Sequence, residues 1–483
     1  KPCRLKPRPS PDSYHAGVHP GPMKVVRDSK FRHVFGEPLK EKYEDLRLST
    51  KATESTGIRG NSKFFVFPWD SGGGGTLAVV PNHRFGRLPR DLPLVTGHSG
   101  AILDFEFSPF DDNMLLSASE DMTMKVWAIP EEGIKQHMRE PLATLEGHGK
   151  KVSFCTFNPS AGDIVASTSF DLTVRTWNLA EQEEVFSCPV ADQVMSFKWN
   201  QNGSLLALTC KDKKMRMIDP RASCVVSECK VHEGAKATKV EWLGSTSATD
   251  ECWKLVTTGF SQQAERQLSI WDMRKLPAPD DPNPEPLNML LLDQGTGALF
   301  PFFDPGTQML YIAGKGDGNV RYFEVTPDDP FLHYIGDYRS TVPQKGFDFF
   351  PKRCANIGKH EIMRGLKLET TAIELISFKV PRKSEAFQDD LYPDCPAGVP
   401  AMPADAWVAG AEAQPPVLRS MRPGEDASGP AVAKASTAGG SGGAGVVSVR
   451  ALKEQLAEAQ ARVKVLEKEN EALKAEVAQL RAA

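Results

Sequence analysis

Two stretches of the chain carry the same order of apolar and polar positions, without a gap. GHSGAILDFEFSP…LLSASEDMTMKVWAI begins at Gly97, and GHGKKVSFCTFNP…VASTSFDLTVRTWNL begins at Gly147. His98 to Asp121 and His148 to Asp171 are both 23 residues, and each Asp lies 6 residues before a Trp, Trp127 or Trp177. The apolar runs between these fixed points predict strands, with the Asp at a tight turn between two of them. After residue 448 the pattern changes to a 3-4 spacing, which predicts a helix instead.

The recurring His, Asp and Trp mark a GH…WD repeat, in which each unit is one four-stranded propeller blade. Weaker copies follow. LALTCKDKKMRMID keeps Asp212 with Ile218 at the Trp position, and LSIWDMRK keeps Trp271 with Glu265 six residues before it. IAGKGDGNVRYFEV keeps Asp317 with Phe323 six residues on, and LETTAIELISFKV (368–380) reads as a further strand pair. FFVFPWDSGGGGTLAVV (64–80) reads as two strands around a Gly-rich turn. The expected fold is therefore all-β, a seven-bladed propeller between about 60 and 380. Closing the ring removes exposed sheet edges, and FRHVFG (31–36) is expected to complete the last blade.

The polar residues of the repeat have a structural reading. Asp121 is expected to accept a hydrogen bond from His98, with Ser117 linking the His to the Trp127 indole; Asp171, His148, Ser167 and Trp177 repeat the set. His, Ser and Asp together also invite a catalytic reading, but a nucleophile is not needed once per blade. Other candidates fail on spacing. SGGGG (71–75) lacks the GK[ST] of a phosphate loop, and AGKGDG (313–318) has Gly316 where Ser or Thr must bind magnesium. GGSGG (439–443) matches a nucleophile elbow only by its Gly content, and KHE (359–361) has no second His in register. No catalytic, cofactor or metal site is expected, and the sequence offers no polar cluster for the central channel.

Composition narrows the class further. The chain has 483 residues, 40% hydrophobic and 25% charged, ordinary for a globular protein with appendages. A formal net charge of −4 argues against a polyanion binder, so no nucleic-acid partner is expected. Nine scattered cysteines without a CxxC predict reduced thiols in a cytosolic protein. No apolar run is long enough to span a membrane. Residues 1–22 are Pro-rich and basic; they are expected as a disordered extension or a cloning remnant, with Met23 a plausible start.

Longer stretches resemble the coronin family of actin-binding propellers. They are VVRDSKFRHVFGEP (25–38), YEDLRLS (43–49), SGGGGTLAVVP (71–81), GHSGAILDFEFSPFDDN (97–113), SEDMTMKVWAIPEEG (119–133) and VPRKSEAFQDDLYP (380–393). The resemblance implies a propeller over 23–380 and an extension over 381–398 packed against it. It implies a non-enzymatic binder of filamentous actin, at the cytoskeleton and cell cortex, with the branching complex and cofilin as further partners. Arg47, in YEDLR, is the actin contact it implies; a guanidinium can pair bidentately with a carboxylate of an acidic filament. The basic run KDKKMR groups Lys211, Lys213, Lys214 and Arg216. Lys211 and Lys213 are expected on one rim around the Asp212 turn and Lys214 and Arg216 outward along the next strand, and Lys213, Lys214 and Arg216 are taken as further actin contacts.

Residues 399–447 turn to Ala, Gly, Pro and Ser and are expected as a flexible linker with a reach of roughly 40 Å. Residues 448–483 are expected as a parallel coiled coil. Val449, Leu456, Val463, Asn470 and Val477 occupy a positions, and Leu452, Ala459, Leu466, Leu473 and Leu480 occupy d positions. Asn470 favours a dimer, while RVKVLE (462–467) resembles a trimer pattern, so both copy numbers stay open. The expected function is an actin-filament binder and crosslinker that regulates actin dynamics. The alternative is a trafficking or signalling scaffold whose propeller binds peptides.

Overall fold

In a computed structural model, residues 28–424 are described, apart from 50, 52–53, 73–74, 245–253 and 276–284. Seven sheets form the blades of the ring, antiparallel except where Gly86–Arg87 adds a short parallel strand to the last. Blade 2 shows how the repeat becomes structure. Ile102–Phe107, Met114–Ser119, Met124–Ala128 and Ala143–Leu145 pair in chain order from the channel outward. Its second strand is buried along its whole length and reads as a near-continuous apolar run, while the inner strand leaves Leu103 and Glu106 partly exposed. Blades 3 to 6 repeat the arrangement from Val152–Phe157 through Leu332–Arg339.

The ends of the ring depart from the repeat. Blade 1 has three strands, Arg59–Gly60, Phe64–Pro68 and Leu77–Pro81, and its outer place is held only by a bridge between Leu77 and Val95. Blade 7 takes Gly346–Phe349, Glu361–Leu368 and Ala372–Lys379 from one end of the chain. Its fourth strand is Phe35–Glu44, from the other end, paired antiparallel to Ala372–Lys379. The closing strand thus lies later than FRHVFG. Residues 31–34 form a turn that buries Phe31 and Val34, with Phe31 N–H bonded to Ser29 Oγ. FGEPLKEKYE carries little apolar signal because only Tyr43 of this outermost strand is buried, and Pro38 is accommodated at a bulge.

Side chains from adjacent blades share each core. Phe64, Val66 and Val79 of blade 1 pack with Ile102, Phe105 and Trp127 of blade 2. The expected linker also needs correction: 399–424 is packed on the ring. Helix Ala404–Val408 places Trp407, fully buried, edge-on to Trp199 at 5.9 Å and to Phe186 at 6.0 Å. Its indole donates to Gly203 O at 2.8 Å, and Ala401 and Met402 exchange backbone hydrogen bonds with Ser160 and Gly162. Leu418–Arg419 then returns to pair with Cys395–Pro396. A few large anchors hold this stretch, so it has no period to read. Residues 425–447 of the expected linker, the coiled-coil positions and residues 1–22 lie outside the described residues.

Candidate binding surface

The repeat residues meet as a chain of hydrogen bonds. In blade 2, Trp127 Nε1 donates to Ser117 Oγ (2.8 Å), Ser117 Oγ meets His98 Nε2 (2.7 Å), and His98 Nδ1 meets Asp121 Oδ2 (2.8 Å). In blade 3 the same contacts through Trp177, Ser167, His148 and Asp171 are 2.9, 2.8 and 2.9 Å. Each Asp also accepts from the turn: Asp121 from Ser99 N–H, Thr123 N–H and Thr123 Oγ1. Burial alone would raise the Asp121 and Asp171 carboxyls, yet donation from the histidines and threonines outweighs it and holds both well below the usual carboxylate range. Both serines are fully buried, with their oxygens occupied by His and Trp. The set ties turn to core.

A third such chain was not foreseen. In blade 5, Trp271 donates to Thr257 Oγ1 (2.8 Å), which meets His232 Nε2 (2.9 Å), and His232 Nδ1 meets Gln267 Oε1 (3.0 Å). Gln267, not Glu265, takes the Asp position. His232 and Thr257 are 25 residues apart where His98 and Ser117 are 19, so insertions hide the repeat from a fixed spacing.

Blade 4 answers the same need with charge, and this overturns part of the predicted basic rim. Arg216 is 3% exposed. Its guanidinium binds both oxygens of Asp212 (3.0 and 2.5 Å), and Nε donates to Glu228 (2.9 Å). Lys214 reaches the other oxygen of Glu228 at 2.8 Å, and Lys213 donates to Glu233 O at 2.7 Å. Arg216 and Glu228 are directly opposite across neighbouring strands, so Arg216 turns to its carboxylates and not to solvent. In blade 6, Asp317 pairs with Arg266 of blade 5 (2.6 Å), which also holds Asp293 bidentately.

Arg47 has a different setting. Leu46 is buried and Leu48 bridges Trp69, while Arg47 O accepts from Asp70 N–H at 2.8 Å. This fixes the backbone beside the Trp69–Thr76 turn of blade 1, on the face that carries the Asp121, Asp171 and Asp212 turns. The side chain is exposed and meets no hydrogen-bond or ion-pair partner among the described residues. Lys211 is likewise exposed on this face.

The channel does gather a polar cluster, contrary to expectation. Arg59, Asp104, Glu106, Lys198, Lys239, Glu241 and Asp348 come from the inner strands of five blades and line cavities of about 400 and 50 Å³. Most reach the next blade. Asp104 accepts from Cys155 N–H (3.1 Å), Glu106 from Phe157 N–H (2.7 Å), and Asp348 from Gly60 N–H (3.1 Å). Lys198 pairs with Glu241 at 3.3 Å, and Lys239 holds Glu54 and Met195 O. Burial pushes Asp104 up to about 6 against the pull of Arg59, and lowers Lys239. No sequence spacing could show this cluster, because its members meet only when the ring closes.

Comparison with known proteins agrees with this geometry. A family model described as a domain of unknown function (DUF1899) matches residues 24–87. A WD domain, G-beta repeat, matches 91–128, and a type of WD40 repeat matches 373–415. Coronin-A of Dictyostelium discoideum is 46% identical over 395 residues, covering 81% of this chain and 85% of that protein. The WD40 domain of Toxoplasma gondii coronin superposes with a TM-score of 0.76 at 39% identity, covering 81% of this chain and 98% of that one. A chain of the mitotic checkpoint complex, at 12% identity and a TM-score of 0.51, shares the fold alone; it covers 74% of this chain and 97% of its own.

Proposed function

The chain belongs to the coronin family, and from that premise we propose that it is a non-enzymatic cytoplasmic protein that binds actin filaments through the Arg47 face of its propeller. One observation carries the choice of face: Arg47 is an exposed guanidinium on a fixed backbone, with no partner among the described residues. A cation so placed can pair with a filament carboxylate without breaking an internal bond. Arg216 is not part of this contact, because its charge is already spent on Asp212 and Glu228. Lys213 and Lys214 are similarly engaged, which leaves Lys211 as the basic side chain of that turn able to join Arg47.

The 448–483 zipper then supplies copy number. Two or three propellers on flexible tethers bind multivalently and bridge neighbouring filaments. Residues 399–424, packed on the ring, are not part of that tether. Bundling of filaments, and regulation of the branching complex and cofilin, belong to this reading as family roles at the cell cortex.

Cosedimentation with filamentous actin tests it. The full chain, a chain ending at Ala444 and Arg47→Ala are compared at low and high salt. Pelleting of the full chain is expected, weakened by truncation and again by Arg47→Ala, with the Arg47 effect shrinking in salt. A full chain that stays in the supernatant at every salt would sink the proposal in favour of the peptide-binding scaffold.

A further inference from the structure

The turn between the second and third strands of several blades holds one residue in the left-handed region. In blades 1, 5 and 6 that residue is Gly72 (φ 68°), Ala264 (φ 62°) or Gly316 (φ 90°), which have little or no side chain to strain. Blades 2, 3 and 4 instead place Met122 (φ 69°), Leu172 (φ 65°) and Lys213 (φ 68°) there. Lys213 gains a hydrogen bond to Glu233 O, but Met122 and Leu172 are large and apolar and stand 46% and 37% exposed. The conformation is imposed: Asp121 and Asp171 each accept from the N–H of the residue two further on, while their other oxygen is held by His98 or His148. A long apolar side chain here costs conformational energy while a large part of it, 46% of Met122 and 37% of Leu172, stays in solvent, and neither joins a core cluster among the described residues. Stability therefore does not account for either residue.

The two positions share one surface. Lys151 spans the blades, with Nζ 4.2 Å from the Phe170 ring centroid and 3.9 Å from Glu120. Arg47 and Lys211 stand exposed on the flanking blades 1 and 4, and Lys150 is exposed in blade 3. The result is an arc over blades 1 to 4 in which Arg47, Lys150 and Lys211 flank an apolar centre, with Glu120 beside it paired to Lys151 and Asp70 next to Arg47, continuous with the Arg47 contact.

We propose that Met122 and Leu172 are the apolar anchors of the actin contact, entering a depression on the filament whose margin is acidic. This rests on the filament-binding reading and adds its centre: exposed charges steer and orient, whereas desolvated apolar anchors carry most of the affinity. Such an anchor is insensitive to salt, unlike Arg47.

The experiment compares the full chain with the double variant Met122→Asn, Leu172→Asn, since Asn tolerates the left-handed region. Cosedimentation is read at low and high salt, beside thermal unfolding. Ala264→Asn in blade 5 is the control, and the Met122→Gly, Leu172→Gly pair replaces the double variant if the latter does not fold. The expected result is an unchanged or higher thermal midpoint, with at least tenfold weaker pelleting at both salts and no change in the control. If the full chain pellets, Arg47→Ala weakens it, and the double variant pellets like the parent, the anchor proposal is overturned and filament binding stands. If the full chain itself does not pellet, both fall together.

Discussion

Blades 2 and 4 solve one problem with different chemistry. Both must fix a tight turn that begins with an Asp, Asp121 or Asp212. Blade 2 ties its Asp to the core through uncharged-type donors, His98, Ser117 and Trp127. Blade 4 has Ile218 where the Trp would be, and clamps Asp212 with Arg216, itself held by Glu228. The lesson is that a basic run is not a basic surface. Within KDKKMR, the register of the neighbouring strand decides which cations are consumed by the fold and which remain for a partner.

Substitutions in these blades, in blade 5 and on the exposed face would break or sharpen this contrast. Arg216→Ala has the largest expected effect, a loss of about 3 kcal/mol, because it leaves Asp212 and Glu228 beside each other without their shared cation. Chemical denaturation measures it. Filament pelleting of the folded fraction is expected to stay at the parental level, and a selective loss of binding at unchanged stability would return Arg216 to the contact surface. Ser117→Ala is next, at about 2 kcal/mol, since it strands the buried Trp127 and His98 nitrogens. Thr257→Val in blade 5 is expected to match it by the same measurement, which would place that hidden network on equal terms with the regular ones.

Acid separates the two chemistries more gently. Burial lowers His148 and His232 below the ordinary histidine value, despite the pull of Asp171 on the former and of Gln267 on the latter. A lowered base binds its proton less readily folded than unfolded, so its contribution is whole above about pH 6.5 and is lost as pH falls below that. The depressed carboxyls of Asp121 and Asp171 act in a lower window: their contribution is present above about pH 4 and is lost as pH falls through their folded values. Blade 4 has no histidine in its clamp. His148→Asn or His232→Asn is therefore expected to flatten the fall in thermal midpoint between pH 7 and 5, whereas Arg216→Ala leaves that slope intact. The smallest effect belongs to Lys211→Ala and Arg47→Ala. These exposed cations are expected to change unfolding free energy by less than about 0.5 kcal/mol while weakening pelleting.

What could be read beforehand follows from where each signal sits. The fixed spacings between His98, Asp121 and Trp127 are local, and one blade's strands are consecutive, so the sequence by itself determined the repeat, the ring and the family. It also marked Arg47 through its segment. Strand Phe35–Glu44 escaped because an outermost strand needs little apolar surface, and residues 399–424 escaped because Trp407 anchors them without a period. The engagement of Arg216, the His232 chain and the channel cluster were decided only by tertiary structure. The first depends on strand register, which sets Glu228 opposite Arg216; the other two depend on residues far apart in the chain, brought together by the blade's pairing or by closure of the ring. The exposure of Met122 and Leu172 was decided there too: a turn's sequence names its residues, but only the folded blade fixes their φ and leaves a large part of each side chain in solvent.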